Sequence, residues 1–169
     1  MTGWWVAAFV AQWVLLAVMA VVIVALARQV GTLHLRLGPR GALEIDDEGP
    51  ALGEAVLPTP AQAADGSPVV IGGPGGRRIV VFSSPTCSVC RELVPAVPAA
   101  AAAVRVAAQV VHDEEAEKAW NVPGTPFVVA LDEVGVVRAK GTVNNLEQLE
   151  GLLDTAERRS AEGSEAWAS

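Results

Sequence analysis

The sequence predicts an α/β domain with an N-terminal β-hairpin extension, preceded by one transmembrane helix. Three observations predict it. The chain opens on a long apolar run without a charge; strand-like and helix-like stretches alternate beyond it; and one buried-strand pattern runs straight into the chain's only two cysteines, in Arg78-Ile-Val-Val-Phe-Ser-Ser-Pro-Thr-Cys-Ser-Val-Cys90.

The chain has 169 residues, room for one modest domain and an appendage. It is 51% hydrophobic, and the excess is gathered at the amino terminus. From Trp4 to Ala27 Gln12 alone is strongly polar and no residue is charged. As helix that run is about 36 Å long, enough for a hydrocarbon core of ~30 Å. Trp4 and Trp5 suit one interface and Arg28 the other. A cleavable signal peptide would carry a basic leading region and a shorter apolar core, so residues 1–28 read as an anchor and the lipid bilayer as a partner. Arg28, Arg36 and Arg40 follow the span and no Lys or Arg precedes it, which by the positive-inside rule favours a cytoplasmic domain.

Residues 29–48 form a connector. Val30, Leu33 and Leu37 extend the helix until Gly38-Pro39 stops it, His34 reads as an interfacial polar residue, and the acids from Glu44 to Glu48 mark solvated chain. The domain proper spans residues 49–158. Asp65-Gly66 suits a hairpin turn. The glycine-rich stretch 72–76 precedes a strand and lacks the Lys and Ser/Thr of a phosphate-binding loop. Residues 79–82 form the buried strand, and a helix opens at Cys87, where free N–H groups and the positive dipole end favour a thiolate. Cys90 lies one turn on. A structural zinc site wants four ligands, and His34 and His112 lack the paired spacing, so no metal is expected.

After Cys90 the pattern is helical, with a kink at Pro95 and a second helical piece over 99–103. A strand follows at 106–111 with His112 at its end, then an acidic helix at 113–120 and a loop at 121–126. Strands at 127–131 and 136–139 flank a turn at 132–135. Asn144 caps the last helix with Glu147 as capping-box partner, and Leu146, Leu149, Leu152, Leu153 and Ala156 make its apolar face. The small, polar residues 159–169 read as a disordered tail.

In order, these elements are hairpin, strand, helix, strand, helix, two strands and helix, with Cys-x-x-Cys after the first strand of the αβ portion and Thr125-Pro126 before the last two strands. Over residues 50–158 that order resembles the thioredoxin-like fold. The resemblance implies a redox-active Cys87–Cys90 disulfide. It also implies a cis Pro126 packed beside the dithiol, with Thr125, Pro85 and Thr86 meeting the substrate. Cys87, Cys90 and Pro126 are then the catalytic residues, and exchange runs through a mixed disulfide that Cys90 resolves.

A closer likeness covers three separated blocks: the anchor with Ala27-Arg-Gln-Val-Gly-Thr-Leu-His and Gly41-Ala-Leu43, then Pro85-Thr-Cys-Ser-Val-Cys90, then Leu131-Asp-Glu-Val-Gly-Val-Val-Arg-Ala-Lys-Gly-Thr-Val-Asn144. These are similar to the MauD family of methylamine-utilisation accessory proteins. That similarity implies a membrane-anchored thiol–disulfide oxidoreductase that helps to mature a disulfide-rich extracytoplasmic dehydrogenase. Its partners would be a protein client with cysteines or disulfides and a membrane-embedded electron-transfer protein, with no nucleic acid and no cofactor. Ser88 departs from the family's proline inside the motif, and the stretch between His112 and Pro123 is shorter than usual. Other readings stay open here. A reductive thioredoxin of cytochrome c maturation would have Trp before the first cysteine and Glu three after the second, where this chain has Thr86 and Leu93. A peroxidase pattern, Pro-x-x-x-Thr-x-x-Cys, is absent. A copper-delivery module would use Cys87, Cys90 and His112 as soft ligands. An assembly scaffold would keep the disulfide as a purely structural bond.

Overall fold

A computed structural model describes residues 3–36 and 47–166, which fall into two compact units, Met1–Gly38 and Pro39–Ser169. The first unit is helix α1 (Gly3–Arg36). Its segment Gly3–Val24 has a mean hydropathy of 2.6 and is long and apolar enough to cross a membrane. Trp4, Trp5, Phe9 and Trp13 all point outward, and Phe9 meets Trp13 edge to face one turn later. The helix runs on through 29–36, as Val30 and Leu33 predict. The stop expected at Gly38-Pro39 and the acids from Glu44 to Asp46 lie outside the described residues.

The second unit begins with an antiparallel hairpin, β1 (Thr59–Gln62) and β2 (Pro68–Ile71), around Asp65-Gly66. Asp65 accepts hydrogen bonds from the Ser67 N–H and hydroxyl, and Gly66 takes φ +84°, the region for which glycine suits a turn. Next come β3 (Arg78–Phe82), helix α2 (Ser88–Leu93), a 3-10 turn at Val94–Ala96, and helix α3 (Val97–Ala103). The tightened turn holds Pro95, at the kink the sequence predicts. Then follow β4 (Ala107–Val111), α4 (Glu114–Ala119), β5 (Phe127–Leu131), β6 (Val137–Thr142) and α5 (Leu146–Ala166).

Four strands form one sheet in the order β4-β3-β5-β6; β3 runs parallel to β4, while β5 is antiparallel to both β3 and β6. The central pair, β3 and β5, is buried along its whole length. Side chains alternate between the faces of a strand, so each central strand feeds two cores. Ile79, Val81, Val128 and Ala130 pack with Leu93, Val97, Leu149, Leu152 and Leu153 from the helices. Val80, Phe82, Phe127, Val129 and Leu131 pack with Ile71, Ala116 and Trp120. The hairpin is tied to the β4 edge, where the Ala64 N–H donates to Val110 and the His112 N–H to Gln62. Trp120 Nε1 donates to Thr59 Oγ1 from the same side.

The acidic helix read from Asp113 begins at Glu114, with Asp113 as its N-cap. Asp113 Oδ1 accepts from the N–H groups of Glu115 and Ala116, and its Oδ2 accepts from Gln62. These hydrogen bonds, the one from Ala116 foremost, hold the Asp113 carboxyl below its usual range. We expect Asp113→Ala to cost about 0.5–2 kcal/mol at neutral pH. A lowered folded-state value means the contribution is present above the unfolded value near 3.8 and is lost as pH falls through the folded one. Thermal unfolding should therefore separate variant from wild type at pH ~7 and bring them together at strongly acid pH.

Three features of the last helix differ from the sequence reading. The cap is Asn145, not Asn144: its Oδ1 accepts from the Gln148 N–H, and Gln148 Oε1 in turn accepts from the Asn144 N–H. Gln148 thus fills the role expected of Glu147. Leu146 is exposed, because the buried stripe begins one turn later at Leu149. And α5 continues to Ala166 through the stretch read as a disordered tail. Ala and Glu are strong helix formers, and Arg159 Nη1 reaches back to the Arg138 carbonyl. Strand β6 is also longer than read, ending at Thr142.

Candidate functional site

The sheet register brings together two loops that are distant in the chain. Phe82, the last residue of β3, pairs with Phe127, the first of β5, so the segments 83–87 and 121–126 leave the sheet at one end. In the first, the Cys87 N–H donates to the Ser84 carbonyl at 3.1 Å and closes a turn with Pro85 at its second position, where the fixed φ of proline suits it. Ser84 Oγ and Thr86 Oγ1 are 2.9 Å apart across that turn. Pro85 and Thr86 are exposed at its tip.

Cys87 is the N-cap of α2. Cys87 and Cys90 are disulfide-bonded, with Cα atoms 5.3 Å apart. The Cys90 N–H points at Cys87 Sγ from 3.1 Å. In the reduced protein this bond favours a Cys87 thiolate, because an N–H donor stabilises the charged form of its acceptor. With α2 only six residues long, that direct hydrogen bond matters more than a helix dipole. The sulfurs differ in access: Cys87 is half-buried, whereas Cys90 is 2% exposed.

The second loop supplies the facing wall. Thr125-Pro126 is a cis peptide bond, Pro126 is buried, and its carbonyl accepts from the Val143 N–H. The Thr125 carbonyl lies 3.6 Å from Cys87 Sγ. The loop is anchored at its start by Asn121, whose side-chain amide donates to the Asp47 carbonyl and whose own carbonyl accepts from the Gly49 N–H. Thus Cys87, Cys90, Thr125 and the turn bearing Pro85 and Thr86 form one site, with Pro126 directly beneath Thr125 in the chain.

His112 does not join the sulfurs. Its Nε2 is 2.6 Å from the hydroxyl of Ser83, a residue that is 1% exposed. The described His, Cys, Asp and Glu side chains form no group of three or more able to hold a metal, so the ligand set of the copper reading is not gathered here. The Ser83–His112 pair escapes a reading of either strand by itself. The parallel register of β3 on β4, Phe82 opposite Val111, is the signal that would have found it.

A disulfide with one accessible and one buried sulfur, set at the end of such a sheet, belongs to the thiol–disulfide oxidoreductases of the thioredoxin fold. Among solved structures the chain is similar to one from Bacteroides thetaiotaomicron assigned as a protein disulfide isomerase (TM-score 0.53, 14% identity, 70% of this chain and 95% of that one). It is also similar to one from Chlorobium tepidum assigned as a thiol:disulfide interchange protein DsbE (TM-score 0.50, 15% identity, 64% and 96%). At such identities these show the fold alone. No protein-family model matches the chain. Among curated proteins it is 33% identical to the methylamine utilization protein MauD of Methylorubrum extorquens, over 88% of this chain and 85% of that protein. It is 32% identical to the MauD of Paracoccus denitrificans, over 91% and 90%. The chain belongs to the MauD family.

Proposed function

We propose that this oxidoreductase is anchored in the cell membrane by α1, holds its dithiol domain outside the cytoplasm, and exchanges disulfides with a cysteine-rich exported client, a dehydrogenase of the methylamine dehydrogenase kind. The observation that carries the exchange is the unequal pair of sulfurs, with Cys87 Sγ open beside the Thr125 carbonyl and Cys90 buried. Cys87 is the nucleophile. Its thiolate attacks a client disulfide, forms the mixed disulfide and releases one client thiolate; the Cys90 thiolate then attacks Cys87 Sγ and releases the second. The reverse sequence oxidises a client dithiol. Thr125 presents backbone groups to the client strand, and Pro85, Thr86 and Pro126 shape the surface it lies on. The client class is supported by family membership, since the relatives are named for methylamine utilisation.

The orientation sets two physical arguments against each other. The arginines after the span favour a cytoplasmic domain, yet disulfides persist in oxidising compartments outside it. The charge rule is a bias and not a prohibition, so the arginines do not exclude an exported domain. Alkaline phosphatase fused after Ser169 should therefore be active, and a fluorescent protein at the same place dark. An inactive phosphatase with a bright cytoplasmic fluorophore overturns the exported-client reading.

A further inference from the structure

Gln12 is the one strongly polar residue between Trp4 and Ala27. It stands near the middle of the Gly3–Val24 span, about 14 Å along the axis from Gly3 and about 18 Å from Val24. A side chain of that length does not reach the headgroups from that depth. The helix offers it nothing either. The residues three and four positions away, which share its face, are Ala8, Phe9, Leu15 and Leu16, all apolar. Gln12 is exposed on the helix surface, and among the described residues no group bonds its amide. In water such an amide is satisfied by solvent. In hydrocarbon it is costly until another polar group meets it. The shape of the surface at this point agrees. Trp5, Ala8, Phe9 and Gln12 line one shallow hollow on α1, in which Ala8 is the shortest side chain. A small residue one turn from a polar one lets the backbone of another helix come close enough to bond it.

We propose that α1 pairs within the bilayer with the α1 of a second copy of this chain, through Gln12 and the hollow over Ala8. The inference rests on the membrane anchor proposed above. The chemistry of the amide selects the occupant. A glutamine side chain carries both donors and an acceptor, so two of them satisfy each other. Copies inserted in the same direction hold Gln12 at the same depth, which brings the two amides level. Each side-chain N–H donates to the other copy's side-chain carbonyl oxygen. Ala8 lets the backbones approach, and Trp5 and Phe9 flank the contact. Leu15 and Met19 follow Gln12 at the alternating three- and four-residue spacing of a seam between two helices. The pair is parallel, so both dithiol domains lie on one side of the membrane.

The test is energy transfer between full chains carrying donor or acceptor fluorescent proteins after Ser169, reconstituted in phosphatidylcholine vesicles at rising protein-to-lipid ratio. The wild type should show transfer above that of randomly placed monomers. Gln12→Leu makes the span more apolar, so insertion is kept, and it should need about threefold to thirtyfold more protein per lipid for the same transfer. Gln12→Asn, which keeps the amide, should stay closer to wild type, and Ala8→Leu, which fills the hollow, should weaken pairing. Val10→Leu, on the far side of the helix, should change nothing. Pairing of Gln12→Leu equal to wild type overturns the proposal, as does a wild type that stays monomeric in the vesicles. In native membranes formaldehyde should cross-link the chain to twice its mass. A cross-link of another mass that depends on Gln12 gives this face to a different membrane protein and overturns the second copy. Release of the wild-type chain from membranes by alkaline carbonate overturns the anchor and the pairing together, whereas a chain that resists carbonate yet does not pair overturns the pairing alone.

Discussion

Cys90→Ser turns the protein into a trap. Its reactive sulfur remains, since Cys87 keeps its place at the α2 N-cap beside Thr125, but no second thiolate is available to release what Cys87 has captured. In cells carrying this variant, a covalent adduct should accumulate on non-reducing gels and disappear with dithiothreitol. Cys87→Ser should form none, and its exchange with a model disulfide should fall to background, because the remaining cysteine is 2% exposed. Mass spectrometry of the adduct names the client. An adduct that forms equally well on Cys87→Ser would reverse the roles of the two cysteines. Turnover that persists in Cys90→Ser would show that resolution does not need Cys90.

Phe82→Ala should cost about 3–5 kcal/mol, the range for emptying a buried aromatic site. Phe82 is wholly buried, pairs with Phe127 across β3 and β5, and meets the Trp120 ring at 5.5 Å between centroids. It packs in the same core as Ile71 of the hairpin and Ala116 of α4, elements that close over this face of the sheet. Deleting the ring leaves a cavity at the point where hairpin, sheet and α4 meet, and it does so at the strand end that carries the dithiol turn. Pulse proteolysis in urea measures the loss. Val134→Ala is the matched surface control: this side chain is 63% exposed, and the change should stay within about 0.5 kcal/mol. A Phe82→Ala value as small as the control would mean that the core closes around the gap.

The dithiol itself was legible because its signals are contiguous. A β-branched run ending in Ser-Ser-Pro-Thr and followed by Cys-x-x-Cys states strand, turn and helix start within about a dozen residues. The apolar span, the Asp65-Gly66 hairpin, the kink at Pro95 and the acidic helix after His112 are legible for the same reason. Each depends on side chains within one or two turns of each other. Where local signals compete, the margin of error is one residue or one turn. Asn144 and Asn145 are both good caps, and the choice between them followed Gln148, whose amide closes the reciprocal bond.

The tertiary structure decided what meets what. Thr125 and Cys87 are 38 residues apart, and Ser83 and His112 are 29 apart. No periodicity or cap in either segment encodes these pairs; a family resemblance alone suggested the first, and the second went unread. Both follow from the sheet. Antiparallel pairing sets Phe82 against Phe127, and parallel pairing sets Phe82 against Val111, so the residues just beyond each strand end are brought together. Strand pairing is chosen by the burial of whole faces against the helices and the hairpin, a sum over the two cores. The sequence by itself therefore determined which residues can do the chemistry, and the long-range packing determined which of them stand next to the sulfur.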